Sequence, residues 1–231
     1  IESSLDKRIT IAINKKAPSH FLIDIQPQQI EKIKTTALSY LGDNSFNSQA
    51  MLRGRILQIN GQSVQDLRVD KEVEWVLRRD RAFSWSNEMP KNTKLISGKW
   101  WSKNYDGPLL VSIGDKIAKG MNLKIGDKIK FNILGRNFEA QIFNTREIIW
   151  ENMDINFVFI LSNSNIANAP HSWIATTKNV GQNINNNFVE KIVSEFSNIS
   201  SISIKESYKA IKSILNLLSI IINSIALITL F

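Results

Sequence analysis

The last nineteen residues, SILNLLSIIINSIALITLF, carry no charged side chain. A helix needs roughly 20 apolar residues to cross the hydrocarbon core of a bilayer. The charges nearest the run, Lys209 and Lys212, stand with Tyr208 just before it, as interfacial anchors do. This arrangement predicts a stalk continuing into a membrane-spanning helix over residues 208–231. The run stops flush at Phe231, which reads as a chain cut inside its membrane segment. Asn216 and Asn223 lower the hydropathy and keep a second reading open, a soluble secreted binding domain whose last helix is buried.

At the other end the chain starts at Ile1, with no Met and no basic-then-apolar leader, and so reads as lacking a signal peptide. Leu5, Ile9 and Ile13 recur every fourth residue among Glu2, Asp6, Lys7 and Arg8. That period predicts an amphipathic helix over 1–13, within an N-terminal stalk of 1–17. Two stalks leaving for one membrane face are expected to lie side by side.

Between the stalks the pattern predicts an α+β fold. Residues 21–25 (FLIDI) read as a strand, and 28–41 as a helix with Ile30, Ile33, Ala37, Leu38 and Leu41 inward. A second such unit follows late in the chain. Residues 173–176 read as a strand and 185–196 as a helix with Phe188, Val189, Ile192, Val193 and Phe196 inward; 202–204 form a further strand. The two units are expected to form one split α/β subdomain (18–45 and 170–207), with their strands in one sheet, interrupted by a β-rich lobe at 46–169. Within the lobe, 53–59 reads as a strand closed by a turn at Asn60-Gly61. Ile129, Phe131 and Ile133 alternate with Lys128, Lys130 and Asn132; Gly135-Arg136-Asn137 turns the chain; Phe138, Ala140 and Ile142 return. That is a hairpin with one wet face. Residues 157–161 read as a buried strand, and Trp75, Trp85, Trp100, Trp101 and Trp150 as core rings of the lobe.

Catalytic chemistry is sparse. With no Cys and only His20 and His171, the chain lacks the ligands for thiolate metal sites and the groups for a cysteine nucleophile or histidine relay. Neither histidine has metal-ligand neighbours. No nucleophile elbow, zinc-protease motif or phosphate-binding glycine loop occurs, and no cofactor is called for. Asp70, Glu72 and Glu74 would lie on one face of a strand, and a hydrolase using them is the remaining enzymatic reading. The net charge of +8 is spread in short pairs such as Lys15-Lys16 and Arg78-Arg79, which is not the concentrated footprint of a nucleic-acid binder.

An ordered set of short motifs resembles one family. Arg53-Gly54-Arg55-Ile56 followed by Ile59-Asn60-Gly61 resembles the RGRI…ING segment of FtsX-like ABC transporter permeases of the YbbP type, whose extracytoplasmic domain is MacB-like. Phe21 to Pro27, Met89-Pro90, Gly98 with Trp100-Trp101, Val111-Ser112, Gly126-Asp127, and Arg146 with Trp150 and Asn156-Phe157 follow in the family's order; Val158 stands where a second Phe is usual. The resemblance implies a domain of a bacterial inner-membrane protein on the extracytoplasmic side, working with a separate ABC ATPase subunit. It implies contact with membrane lipid, and force passed through the stalks to a hydrophobic compound, a lipoprotein or a partner protein, with no nucleic acid involved. The motif residues Arg53, Gly54, Arg55, Asn60, Gly61, Gly98, Trp100, Gly126, Asp127, Arg146 and Trp150 are expected to be structural, the glycines at turns or close contacts, Arg53 and Arg55 paired with carboxylates.

Overall fold

The computed structural model describes residues 17–90, 93–149, 154–162 and 166–229, with the side chains of 167 and 222–229 excepted. Among these the order is β1 (His20–Ile25), α1 (Ile30–Leu41), β2 (Phe46–Ile59), β3 (Gln62–Ser63), α2 (Trp75–Arg78), β4 (Arg81–Trp85), β5 (Lys94–Gly98), β6 (Leu110–Gly114), α3 (Asp115–Gly120), β7 (Lys128–Ile133), β8 (Arg136–Glu147) and β9 (Phe159–Leu161). A 3-10 turn at Ile166–Asn168 leads to β10 (Ser172–Thr177), α4 (Gln182–Glu195), β11 (Ser200–Ser203) and α5 (Ile204–Thr229). The fold is α+β.

Four strands form one antiparallel layer in the order β11-β1-β10-β2. β1 and β2 both run antiparallel to β10, so α1 crosses over β10 between two parallel strands. β10 and β11 are related in the same way across β1, through α4. This interleaved pair of β-α-β crossovers is the ferredoxin-like arrangement. Both helices bury one stripe on the sheet, Ile30, Ile33, Ala37 and Leu41 from α1 and Phe188, Val189 and Ile192 from α4, against Leu22, Ile25 and Ala175. Leu22 and Ile25 both face this core although three residues apart, because a bulge lies between them and Asp24 takes φ 63. Leu38 and Val193, expected inward, are exposed. Each sits one residue, a turn of about 100°, past a buried position, outside the stripe.

The same β2 continues into a second architecture. Its last eight residues pair with β4 on one side and β7 on the other. From β4 the pairing passes to β9, then β6, β8 and β7, and back to β2. The circuit is closed, a six-stranded barrel with two parallel pairs, β4–β9 and β6–β8. Closure leaves those strands without free edges. Leu52, Ile56, Phe83, Val111, Ile113, Ile129, Phe131, Phe159 and Leu161 fill it. The ring of Phe83 lies edge-on to Phe131 at 4.9 Å and stacks on Phe159 at 5.2 Å between centroids.

The alternation of Ile129, Phe131 and Ile133 faces this core as expected. The turn after it is placed differently. Ile133 pairs with Arg136, so the two turn residues are Leu134 (φ 47) and Gly135 (φ 85), one position earlier than Gly135-Arg136-Asn137. The hairpin's twist requires two positive φ values, and an exposed Leu134 accepts one of them. Of the tryptophans, Trp101 is buried, Trp85 and Trp100 are half-buried, and Trp75 is exposed under the guanidinium of Arg81 at 4.7 Å. Trp150 lies outside the described residues.

The helix α5 starts directly from β11. Ser203 Oγ accepts from Glu206 N at 3.3 Å, in the S-x-x-E pattern of a capping box, and Ile204 N donates to Ser19 O at 3.1 Å. Beyond its first turns it runs outward, with Ile211, Ile214, Leu215, Leu217, Leu218, Ile220 and Ile221 all exposed. Among the described residues no helix is long and apolar enough to cross a membrane. The expected spanning run at 213–231 extends past the described side chains, and the expected stalk at 1–13 lies outside the described residues.

Where β2 enters the barrel, Gly54 pairs with both Arg81 and Ile133. A Cβ there would stand 2.5 Å from Asn132 O and 2.8 Å from Ile133 Cγ1. Gly54→Ala is therefore expected to destabilise the chain by roughly 2 kcal/mol, by overpacking against backbone that cannot retreat without opening the ladder. Urea unfolding of the two proteins, compared at equal slope, measures it.

Candidate functional site

The motif residues assemble into braces rather than one cleft. Asn60 (φ 49) and Gly61 (φ 82) form the expected turn between β2 and β3. The Asn60 side chain donates to Asp127 Oδ1 at 3.0 Å and accepts from Lys128 N at 2.8 Å, while Asp127 Oδ2 accepts from Lys124 N at 2.7 Å. The ING and GD motifs, 67 residues apart, thus close one end of the barrel together. Gly126 (φ 100) makes the bend that places Asp127, and its carbonyl accepts from Gln141 Nε2 at 3.1 Å.

Gly98 and Trp100 brace the other flank. Gly98 has φ 79, and a Cβ on it would stand 2.5 Å from Phe143 O. Lys99 O accepts from Asn144 Nδ2 at 3.1 Å, and the Trp100 ring lies 4.3 Å from Trp101, whose indole N–H donates to Ser86 O at 2.8 Å.

Arg146, near the end of β8, is 2% exposed. Its guanidinium donates to Phe157 O and, at 3.3 Å, to Val158 O. Its Nε has no partner, and no carboxylate of the described residues lies within ion-pair distance. Burial holds its pKa down, to about 10. The arginine ties the strand carrying its own motif to the Asn156-Phe157 segment, so this pairing of motifs is a cross-link in the core.

Arg53 and Arg55 are exposed on β2, and neither forms the expected carboxylate pair among the described residues. Asp70, Glu72 and Glu74 do not share a strand face; 71–74 is a turn leading into α2. Glu74 pairs with Arg78 at 2.6 Å, facing one cavity, whereas Asp70 and Glu72 line another with Asp115 and Glu147. They do not converge on one point, as a pair of acid–base carboxylates must. Among the described residues no three His, Cys, Asp or Glu side chains could hold a metal ion.

The joint between α5 and the sheet holds the remaining titratable group. His20 begins β1, with Ser19 Oγ 3.0 Å from its Nδ1. A small cavity of about 90 Å³ there is lined by His20, Gln182, Lys205, Glu206 and Lys209. Lys205 Nζ donates to Gln182 Oε1 at 3.0 Å and fixes the first turn of α5 to the start of α4. Burial pushes the His20 pKa down, opposed by the charge of Glu206. His171 sits elsewhere, its Nδ1 2.8 Å from Ala169 O and its ring edge-on to Trp85 at 4.5 Å.

No family model matches the chain. Its sequence is similar to a protein described as an uncharacterized ABC transporter permease, YbbP of Escherichia coli (strain K12), with 25% identity over 164 residues. The match covers 70% of this chain and 19% of that protein, so the chain spans about a fifth of its relative's length. A crystallised domain of a protein assigned as a permease from Porphyromonas gingivalis aligns over 79% of this chain and 82% of its own, with TM-score 0.38 and 10% identity. The motif set and the curated relative agree on one class: the chain is similar to an FtsX-like ABC transporter permease domain.

Two outcomes follow from the buried groups. Arg146→Ala removes two charge-assisted bonds and strands two carbonyls, at an expected cost of roughly 3 kcal/mol, with Arg146→Lys restoring less than half in denaturant titration. For His20 the folded pKa lies below the unfolded value of about 6.5, so its share of stability is complete above that pH and is lost as pH falls through the folded pKa. His20→Gln should therefore flatten the stability profile below about pH 6.5, as thermal unfolding would show.

Proposed function

We propose that the chain is the extracytoplasmic domain of an ABC transporter permease of a bacterial inner membrane, with α5 as its stalk and the start of its membrane helix. The observation that carries this is α5 itself. Seven large apolar side chains lie exposed over more than half of its circumference, on a helix tied to the sheet at its capped start. In water such a surface is costly, at about 25 cal/mol per Å² of apolar area. A bilayer removes the cost. The similarity to a permease supports the same reading.

In this reading residues 18–45 and 170–207 form one subdomain and 46–169 an inserted one, the two joined inside β2 rather than by a linker. Residues 1–17 are the first stalk. The domain has no turnover of its own. A separate ATPase subunit drives the membrane helices, and the stalks pass the movement through the His20–Glu206 joint to the sheet and barrel, where it acts on a hydrophobic compound, a lipoprotein or a partner protein.

Two experiments test it. The chain should float with phosphatidylcholine vesicles, and Leu217→Asp with Ile220→Asp should abolish flotation, since each carboxylate at membrane depth costs about 3 kcal/mol. Flotation unchanged by both substitutions would remove the membrane assignment. In the whole permease assembled with its ATPase, Ala210→Pro should uncouple ATP hydrolysis from substrate movement with the domain still folded, because proline in a helix interior costs about 3 kcal/mol locally. Normal coupling would refute the stalk.

A further inference from the structure

We propose that the cleft between β2, the loop after β3 and α2 is a receptor for a phosphate-type anion. The inference rests on the cleft alone and not on the permease reading. Four of the chain's nine arginines, Arg55, Arg68, Arg78 and Arg79, line one cavity of about 970 Å³. Two carboxylates share it, Glu74 and Asp80. Glu74 is committed to Arg78 at 2.6 Å. Arg55, Arg68 and Arg79 form no ion pair among the described residues, whereas some lysines elsewhere do, such as Lys94 with Glu147 and Lys128 with Glu139.

The concentration of unpaired guanidiniums has a chemical reading. With four guanidiniums against two carboxylates the concave wall is net positive, and such a wall raises the local concentration of anions. Arginine is also the cation whose planar fork matches two oxygens of one phosphate, which a lysine ammonium does not. Leu67 and Leu77 form part of the same wall, so the bonds would be made beside apolar surface, where they are stronger than in open water. The volume exceeds that of a single phosphate. It suits a diphosphate, or a phosphodiester headgroup with its attached groups. Arg55 belongs to the RGRI motif, and ligand binding gives this residue the partner that the domain's own carboxylates do not.

Inorganic pyrophosphate is the soluble probe, titrated calorimetrically into the full chain in dodecyl maltoside micelles; phosphatidylglycerol doped into the micelles is the lipid probe. Replacing Arg55, Arg68 and Arg79 with Gln should weaken binding at least about ten-fold, each lost fork removing a charge-assisted pair. Replacing Lys99, Lys124 and Lys130 with Gln makes the same change in net charge elsewhere and should shift it less than about two-fold. Glu74→Gln frees Arg78 and should tighten binding about three-fold, a gain that damage to the fold would not produce. Unfolding midpoints of all variants check the fold. Binding of pyrophosphate identifies a soluble phosphate compound as sufficient; arginine-dependent binding of phosphatidylglycerol alone identifies a membrane headgroup as the source. No binding of either probe, or equal loss in the lysine variant, overturns the proposal.

Discussion

The structure depends on a single strand serving two sheets. β2 is fourteen residues long, and its two halves have different neighbours: β10 for the first, β4 and β7 for the second. A strand is stiff over this length because each half is locked by ladder hydrogen bonds. The sheet and the barrel are therefore joined by hydrogen-bonded backbone, not by a flexible linker. The changeover falls at Leu52–Gly54, where two ladders reach the same strand and only a residue without a Cβ fits against Asn132 O. Glycine in a strand interior is unfavourable by itself; here close approach of the barrel wall requires it.

The braces found at the motif positions serve this same closure. Asn60 with Asp127 fastens the barrel end at β2 and β7, Gly98 lets β5 lie against β8, and Arg146 fastens β8 to the segment entering β9. Arg146 satisfies carbonyls rather than a carboxylate, and its lowered pKa comes from burial. The helical sheet lies at the α5 joint and the barrel lies farther along β2. The sheet and the barrel also meet through side chains: Trp173 of β10 lies 6.4 Å from Trp85 of β4, and Ile174 packs with Leu110 and Ile160.

Much of the fold was legible where burial has a period. Ile129, Phe131 and Ile133 announce a strand because one face is core and the other wet, and Asn60-Gly61 announces a turn because few other residues accept two positive φ values. The first half of β2, FNSQAM, shows no such alternation, since it is half-buried on both faces, and its role was invisible. Barrel closure was also hidden. It depends on the parallel pairs β4–β9 and β6–β8, whose partners lie far apart in sequence. Leu134 misled because leucine disfavours positive φ, yet the register of Ile133 with Arg136 leaves it no alternative. At the candidate site the pairing of the motif residues could not be read from the sequence: Arg53 and Arg55 were expected to meet carboxylates, yet neither does among the described residues and Arg55 faces a cleft, while Arg146 meets carbonyls across the core.

In the proposed function, a pull on α5 is transmitted because β2 makes sheet and barrel one cooperative body. Native-state hydrogen exchange of the β2 amides, followed at increasing denaturant, tests it most directly. If the claim holds, the hydrogen-bonded amides of 46–51 and of 52–59 open with one common free energy, merging into the global unfolding reaction. If instead 46–51 opens several kcal/mol below a barrel half that stays protected, the two layers are separate units and β2 is not the element that couples them.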